Sequence, residues 1–249
     1  MPNHVTNQVR ISGRAESLAQ LKARLFSPGE AECGDDAGAG MIVDFNALVP
    51  MPEPLDVVNG SLTHWMLQWN AIDKTLPASA LEDKHPFFYG KLTEYAAELI
   101  DWQKDTLLDV ERLLRKQNEL ARKCGIDLDY GDTVVNNIRL YGYPTWYEWR
   151  CHHWGTKWNA YHQHIGTFSE TEIYVEFDTA WSPPTPVFDV IAQEYPDLQL
   201  EVRYIDEGGG FAGTFVGESG ELTDEPCPND EVEIFGITHF GWILNDETD

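Results

Sequence analysis

Hydrophobic positions along the chain switch between the two-residue period of strands and the three-to-four-residue period of helices. In His4–Gly13, Val5, Val9 and Ile11 fall on one face of a predicted strand, with Asn7 as the exception on that face. Leu18, Ala19, Leu21 and Leu25 follow at helical spacing and predict a helix over Glu16–Phe26, ended by Ser27-Pro28-Gly29. Residues 30–40 read as a flexible acidic loop, Met41–Val49 as a second strand and Met51–Pro54 as a proline turn. Thr63–Asn70 predicts a short helix. The longest helical pattern runs from Lys91 to Cys124, through Leu92, Tyr95, Leu99, Trp102 and Thr106, with Glu111/Arg115 and Glu119/Lys123 as i,i+4 pairs and Gly125 as its C-terminal stop. As one helix it would reach roughly 50 Å.

Strand patterns return in the second half. Asn137–Tyr143 predicts a short strand. Glu172–Phe177 predicts a better one, with Ile173, Val175 and Phe177 on one face. Pro183–Pro186 open a helix over Val187–Tyr195. Leu198–Ile205, the glycine-rich turn Asp206–Gly210 and Phe211–Gly217 form a predicted hairpin. Val232–Leu244 is read as a last strand. Strand–helix–strand at the start, with strand–helix–strand–hairpin from 172, predicts an α+β ferredoxin-like antiparallel sheet with helices on one face. The expected division is residues 1–54 as part of the sheet, 55–125 as a helical insertion and 126–249 as a ferredoxin-like region with an acidic tail.

Charge changes this picture most. The 249 residues hold 42 acids against 17 bases, a net charge of −25. Residues 161–249 alone carry 20 acids and one base, Arg203. Such a field repels nucleic acid and anionic membrane and attracts a basic partner. Residues 126–249 contain only Arg139, Arg150, Lys157 and Arg203 as bases, which argues against direct nucleic-acid binding. No apolar run spans a membrane, and the start lacks the apolar core of a signal peptide. The cysteines are scattered, as in a protein with reduced thiols. A cytoplasmic protein is expected.

Aromatic residues cluster in Tyr143–Tyr161, which holds Trp146, Trp149, Trp154 and Trp158. Three spaced motifs carry a resemblance: Trp154-Gly-Thr-Lys-Trp158, Phe177-Asp-Thr-Ala-Trp-Ser-Pro-Pro184 and Glu207-Gly-Gly-Gly-Phe-Ala-Gly213, together with the opening Pro2-Asn-His-Val-Thr-Asn7. In this order they resemble the YubB-like proteins of enterobacterial plasmids, phages and genomic islands. The resemblance covers nearly the whole chain. It implies a ferredoxin-like C-terminal part and a mobile-element setting, and it supplies no activity and no catalytic residues. The fold label implies no iron–sulfur cluster, and the scattered cysteines argue against one.

Two side-chain sets are candidate sites. Cys151, His153, His162 and His164 could bind zinc, the soft and imidazole ligands facing each other across a hairpin, although no known zinc spacing is matched. Trp154, Lys157, Trp158 and Trp181 could form a stacking platform with Trp146 and Trp149, against sheet packing as the ordinary role of tryptophan. In a strand Trp154 and Trp158 would share a face. Carboxylate pairs such as Glu176/Asp178 are read as solvated. With no catalytic motif in view, the chain is read as a non-enzymatic acidic binding protein. Glu218, Glu221, Asp224, Glu225, Asp230, Glu231 and Glu233 would meet a basic, nucleic-acid-binding host protein by imitating phosphate charge. The alternatives are a metal-binding domain or metal-dependent enzyme, and a self-assembly module built on helix 91–124. Cofactors are none, or zinc under the first alternative.

Overall fold

The computed structural model describes residues 3–29 and 40–243. The predicted loop at 30–40 therefore falls almost wholly outside the described residues. In chain order the elements are β1 (His4–Gly13), α1 (Ala15–Leu25), β2 (Phe26–Pro28), β3 (Met41–Val43), α2 (Phe45–Leu48), α3 (Ser61–Ala71), α4 (Leu81–Lys84), α5 (Pro86–Ala96), α6 (Leu107–Lys116), α7 (Asn118–Lys123), α8 (Leu128–Tyr141), α9 (Trp146–His153), β4 (Tyr161–Phe168), β5 (Glu172–Ala180), α10 (Thr185–Glu194), β6 (Leu198–Asp206), β7 (Ala212–Glu218), β8 (Glu221–Pro226) and α11 (Val232–Phe240). Two compact units result, one of Met1–Met51 with Trp149–Asp249, the other of Pro52–Glu148. The helical unit thus runs past the boundary at 125 drawn from the sequence. Among the described residues no helix is long and apolar enough to cross a membrane.

The first unit is built on a six-stranded antiparallel sheet in the order β4-β5-β1-β6-β7-β8. Within it, β1-α1-β4 and β5-α10-β6 are two interleaved βαβ crossovers, the ferredoxin-like arrangement. Strand β1 lies at the centre, between β5 and β6. Its inward residues Val5, Asn7, Val9 and Ile11 are buried with Leu18, Leu21 and Leu25 of α1 and Val187, Phe188 and Ile191 of α10. The opposite face carries His4, Thr6, Gln8 and Arg10. Part of that face is covered by α11, whose His239 carbonyl accepts a hydrogen bond from Gln8 Nε2 at 3.1 Å.

Asn7 is the polar exception on the inner face because its amide is used there. Fully buried, its Nδ2 donates to Val5 O (2.9 Å), Thr179 Oγ1 (3.0 Å) and Phe177 O (3.3 Å). A second set of amides staples residues 41–48 to the sheet. Gln163 accepts from Val43 N (2.6 Å) and donates back to Val43 O (3.0 Å), and Asn159 Oδ1 accepts from Phe45 N (2.8 Å). The second strand predicted over Met41–Val49 is consequently short. It stops at Val43, and Asp44 then caps α2 by accepting from Asn46 N.

Three further expectations are corrected. The helix predicted over 91–124 is broken into the end of α5 and the whole of α6 and α7. Asp105 Oδ2 accepts from Asp101 N (2.8 Å) and Asp101 Oδ1 from Gln103 N (3.2 Å), so carboxylates take backbone donors that a continuous helix would use. Thr106 and Asp109 then restart the helix as a reciprocal capping box. The continuous surface needed for self-assembly through 91–124 is not formed. The strand predicted at 137–143 is the end of α8, capped by Asp127 and stopped by Gly142 at φ +83°. Val232–Leu244, read as a strand from its β-branched and aromatic content, instead holds α11 at Val232–Phe240, and Leu244 lies outside the described residues. Packing of Val232, Phe235 and Phe240 against Ile205 and Ala212 overrides the local preference.

Helix α6 gives a direct test of the break. Thr106→Ala should cost the helical unit about 1 kcal/mol. Hydrogen exchange of the α6 amides should speed up by about fivefold. Unchanged exchange would mean that the capping box does not hold the restart.

Candidate functional site

One end of the sheet collects the polar residues that the sequence scatters. There β1 and β4 begin, β5 ends, and the β6–β7 turn lies beside them. Opposite β5, strand β4 carries a bulge: Tyr161 faces Asp178 and His164 faces Glu176, so two residues of β4 stand against one of β5. Bulges re-aim side chains. Here Gln163 is turned into the core and His162, at φ +49°, toward Asp178. His162 Nδ1 and Asp178 Oδ2 share a hydrogen bond of 3.0 Å. Thr6 Oγ1 donates to the other oxygen of Asp178 at 2.8 Å. His4 Nδ1 and the Tyr161 hydroxyl share one of 2.8 Å, with the rings edge to face. Burial, and then the negative charge of Asp178 and Glu207, push the Tyr161 phenol up to about 12. It therefore remains protonated, and able to donate, across the neutral range.

The three sequence motifs meet at this end. Gly155 sits at φ +77° where a Cβ would lie 2.6 Å from Pro186 Cδ, so the backbone passes the Pro183–Pro186 turn only as glycine. Thr156 Oγ1 donates to Ala180 O (3.0 Å) and accepts from Ala180 N (3.1 Å). Lys157 lies over the rings of Trp158 (4.5 Å) and Trp181 (5.1 Å). Just before the third motif, at the end of β6, the buried Asp206 carboxylate accepts from Gly208 N and Gly210 N of that motif, each at 3.1 Å, and Glu207 N donates to His4 O at 2.9 Å.

The predicted site residues separate. Trp154 is 1 % exposed and donates Nε1 to Val49 O (2.9 Å). Trp149 is buried too. Tyr143–Tyr161 is not a hairpin: it contains α9 followed by turns, and Trp154 and Trp158 do not share an exposed face. Of the predicted platform, Trp181 is exposed and Trp158 half-buried, with Lys157 between them, and Trp146 is half-buried at the start of α9. Of the four predicted metal ligands, Cys151 and His153 lie on α9, where His153 stacks on Trp149. Burial and the neighbouring His152 lower the His153 pKa. His162 instead meets His4 and Asp178. Among the described residues these three form the group of metal-ligating side chains close enough to share an ion. His4 was not singled out by the sequence, and Asp178 only beside Glu176. The available signal was strand parity, which places His4 and Thr6 on the face opposite Val5. The acids Glu218, Glu221, Asp224, Glu225, Asp230, Glu231 and Glu233 are all exposed, Glu218 at the end of β7 and the others on and after edge strand β8. Asp224 accepts from Tyr204 Oη at 2.9 Å.

A family model described as a ferredoxin-like domain in Api92-like protein matches residues 154–242. The uncharacterized protein YubB of Escherichia coli (strain K12) is 30% identical over 126 residues, covering 46% of this chain and 86% of that protein. The chain belongs to the YubB/Api92-like family. A crystal structure of a protein api92 from Yersinia pseudotuberculosis aligns with 92% of this chain and 99% of that one, at 10% identity and a TM-score of 0.39. The family match begins at Trp154, so it takes in β4 to α11. The central strand β1 and helix α1 of the ferredoxin-like unit lie outside it, at the other end of the sequence.

Proposed function

We propose that the chain is an acidic binding protein of a mobile genetic element, which docks its ferredoxin-like unit on a basic, nucleic-acid-binding or defence protein of the host by presenting charge as a phosphate backbone does. The segregation of charge supports this reading. Residues 1–51 and 149–249 hold 26 acids against 7 bases, whereas 52–148 hold 16 against 10. Among the described residues strand β8 pairs with β7 alone, and it displays Glu221, Asp224 and Glu225. Among the described residues, none of the seven acids from Glu218 to Glu233 is engaged in an ion pair. Edge acids also deter strand-to-strand aggregation, so the test must separate the two roles.

Exchanging Glu221, Asp224, Glu225, Asp230 and Glu231 for Gln or Asn removes charge and keeps shape. Basic proteins captured from host lysate at low salt, and displaced by duplex DNA, should bind this variant at least about tenfold more weakly, with a flatter salt dependence. Equal capture by both forms would reject the reading. Aggregation of the variant with equal capture would assign the acids to edge protection.

A further inference from the structure

We propose that His4, His162 and Asp178 form a site for a divalent transition metal of the zinc class. One ring nitrogen of each histidine and one carboxylate oxygen of Asp178 lie within 4.8 Å of one another. Donors bound to one zinc at about 2.0–2.1 Å stand about 3.3 Å apart. His162 Nδ1 and Asp178 Oδ2 are already 3.0 Å apart, and closing the remaining separations, at most 4.8 Å, requires a rotation of the His162 side chain, which is 56% exposed. Two imidazoles with a single carboxylate suit Zn²⁺, Co²⁺ or Ni²⁺ and are too poor in oxygen for Ca²⁺ or Mg²⁺.

The surroundings are those of a held ligand set. Metal-binding side chains are oriented by partners in the next layer. Thr6 occupies one oxygen of Asp178 and leaves the other toward His162. With Nδ1–H of His4 donating to the Tyr161 hydroxyl oxygen, the lone pair of His4 lies on Nε2, which among the described residues takes no hydrogen bond. The β4 bulge places His162 with a positive φ that a regular strand would not give. Beneath the three ligands, buried Asn7 ties β1 to the same stretch of β5 that carries Asp178. Three protein ligands leave a position open for water or for a donor from outside the chain. The site is on a different set of residues from the acidic edge strand, so either reading can fail without the other.

The test uses the full chain without a histidine tag. Zn²⁺ titrated by calorimetry should bind at one equivalent, and Co²⁺ should develop the visible bands of a low-coordinate nitrogen and oxygen site. Zn²⁺ should raise the melting temperature. Thr6→Val should weaken binding by about 10–100-fold, as an outer-layer change, and His162→Ala by more. Cys151→Ala and His153→Ala should leave it unchanged. Asp178→Asn should resemble His162→Ala. If that variant fails to fold, exposed His162→Ala decides the matter, its melting temperature without metal showing that the fold is kept. No stoichiometric binding to the unaltered chain, or binding that survives His162→Ala, overturns the proposal.

Discussion

Asn7→Asp should destabilise the ferredoxin-like unit by about 3–5 kcal/mol at neutral pH, the cost of an uncompensated buried charge. The side chain is fully buried and its Nδ2 faces three acceptors: two carbonyls and the Thr179 hydroxyl oxygen. A carboxylate in its place removes the donor and sets negative charge against both carbonyls. Asn7→Leu removes the donor without adding charge and should cost less, about 1–3 kcal/mol. The difference between the two variants isolates the charge, and its pH dependence has a definite sign. Burial raises the folded-state pKa of the new carboxyl above its unfolded value of about 3.9. Below the unfolded value both states are protonated and the penalty is absent. It grows as pH rises from there to the folded pKa and is constant above. Urea midpoints of the two variants should therefore converge on acidification. A gap that stays constant down to about pH 4 would show that ionisation is not its cause.

Trp154→Ala should cost about 3–5 kcal/mol, again in the ferredoxin-like unit. The indole packs edge to face on Phe45 (centroids 6.1 Å) and Trp149 (5.8 Å), lies 4.9 Å from the Arg150 guanidinium carbon, and satisfies the Val49 carbonyl. Trp154→Phe keeps much of the volume and loses the hydrogen bond, so about 1–2 kcal/mol is expected. Chemical denaturation followed by far-ultraviolet circular dichroism measures both. A loss under about 1 kcal/mol for Trp154→Ala would return this residue to the exposed aromatic surface that its motif first suggested.

The elements that the chain reveals by itself are those whose two faces differ. β1, β5 and β6 alternate because one face is buried under α1 and α10 while the other carries polar residues. The two helices show the matching stripes, Leu18, Leu21 and Leu25, and Val187, Phe188 and Ile191. Misreadings arise where local chemistry competes with that period. Apolar spacing continues through residues 100–106, yet Asp101 and Asp105 divert the backbone donors. In α8 the buried Leu128, Gly131, Val134 and Asn137 keep helical spacing, but Asn137–Tyr143 viewed alone has the composition of a strand.

The candidate site was less legible. His162 could be named from the sequence, but its partners could not. His4 and Asp178 come together only because β1 inserts beside β5, 174 residues away in the chain, and His162 reaches them only through a bulge. Trp154 and Trp158, two ends of one five-residue motif, were divided between core and surface by a turn that the motif itself does not announce.

The amino-acid sequence by itself determined the α+β class, the strands β1, β5 and β6, the crossover helices and the excess of acid over base in the sheet-bearing parts, because periodicity and charge are local properties. Only the tertiary structure decided that residues 4–13 form the middle of the sheet, that Val232–Phe240 is a helix, and that His4, His162 and Asp178 share one corner. Strand order, bulges and close side-chain approach follow from long-range burial, whose free energy exceeds the small intrinsic preferences of short segments.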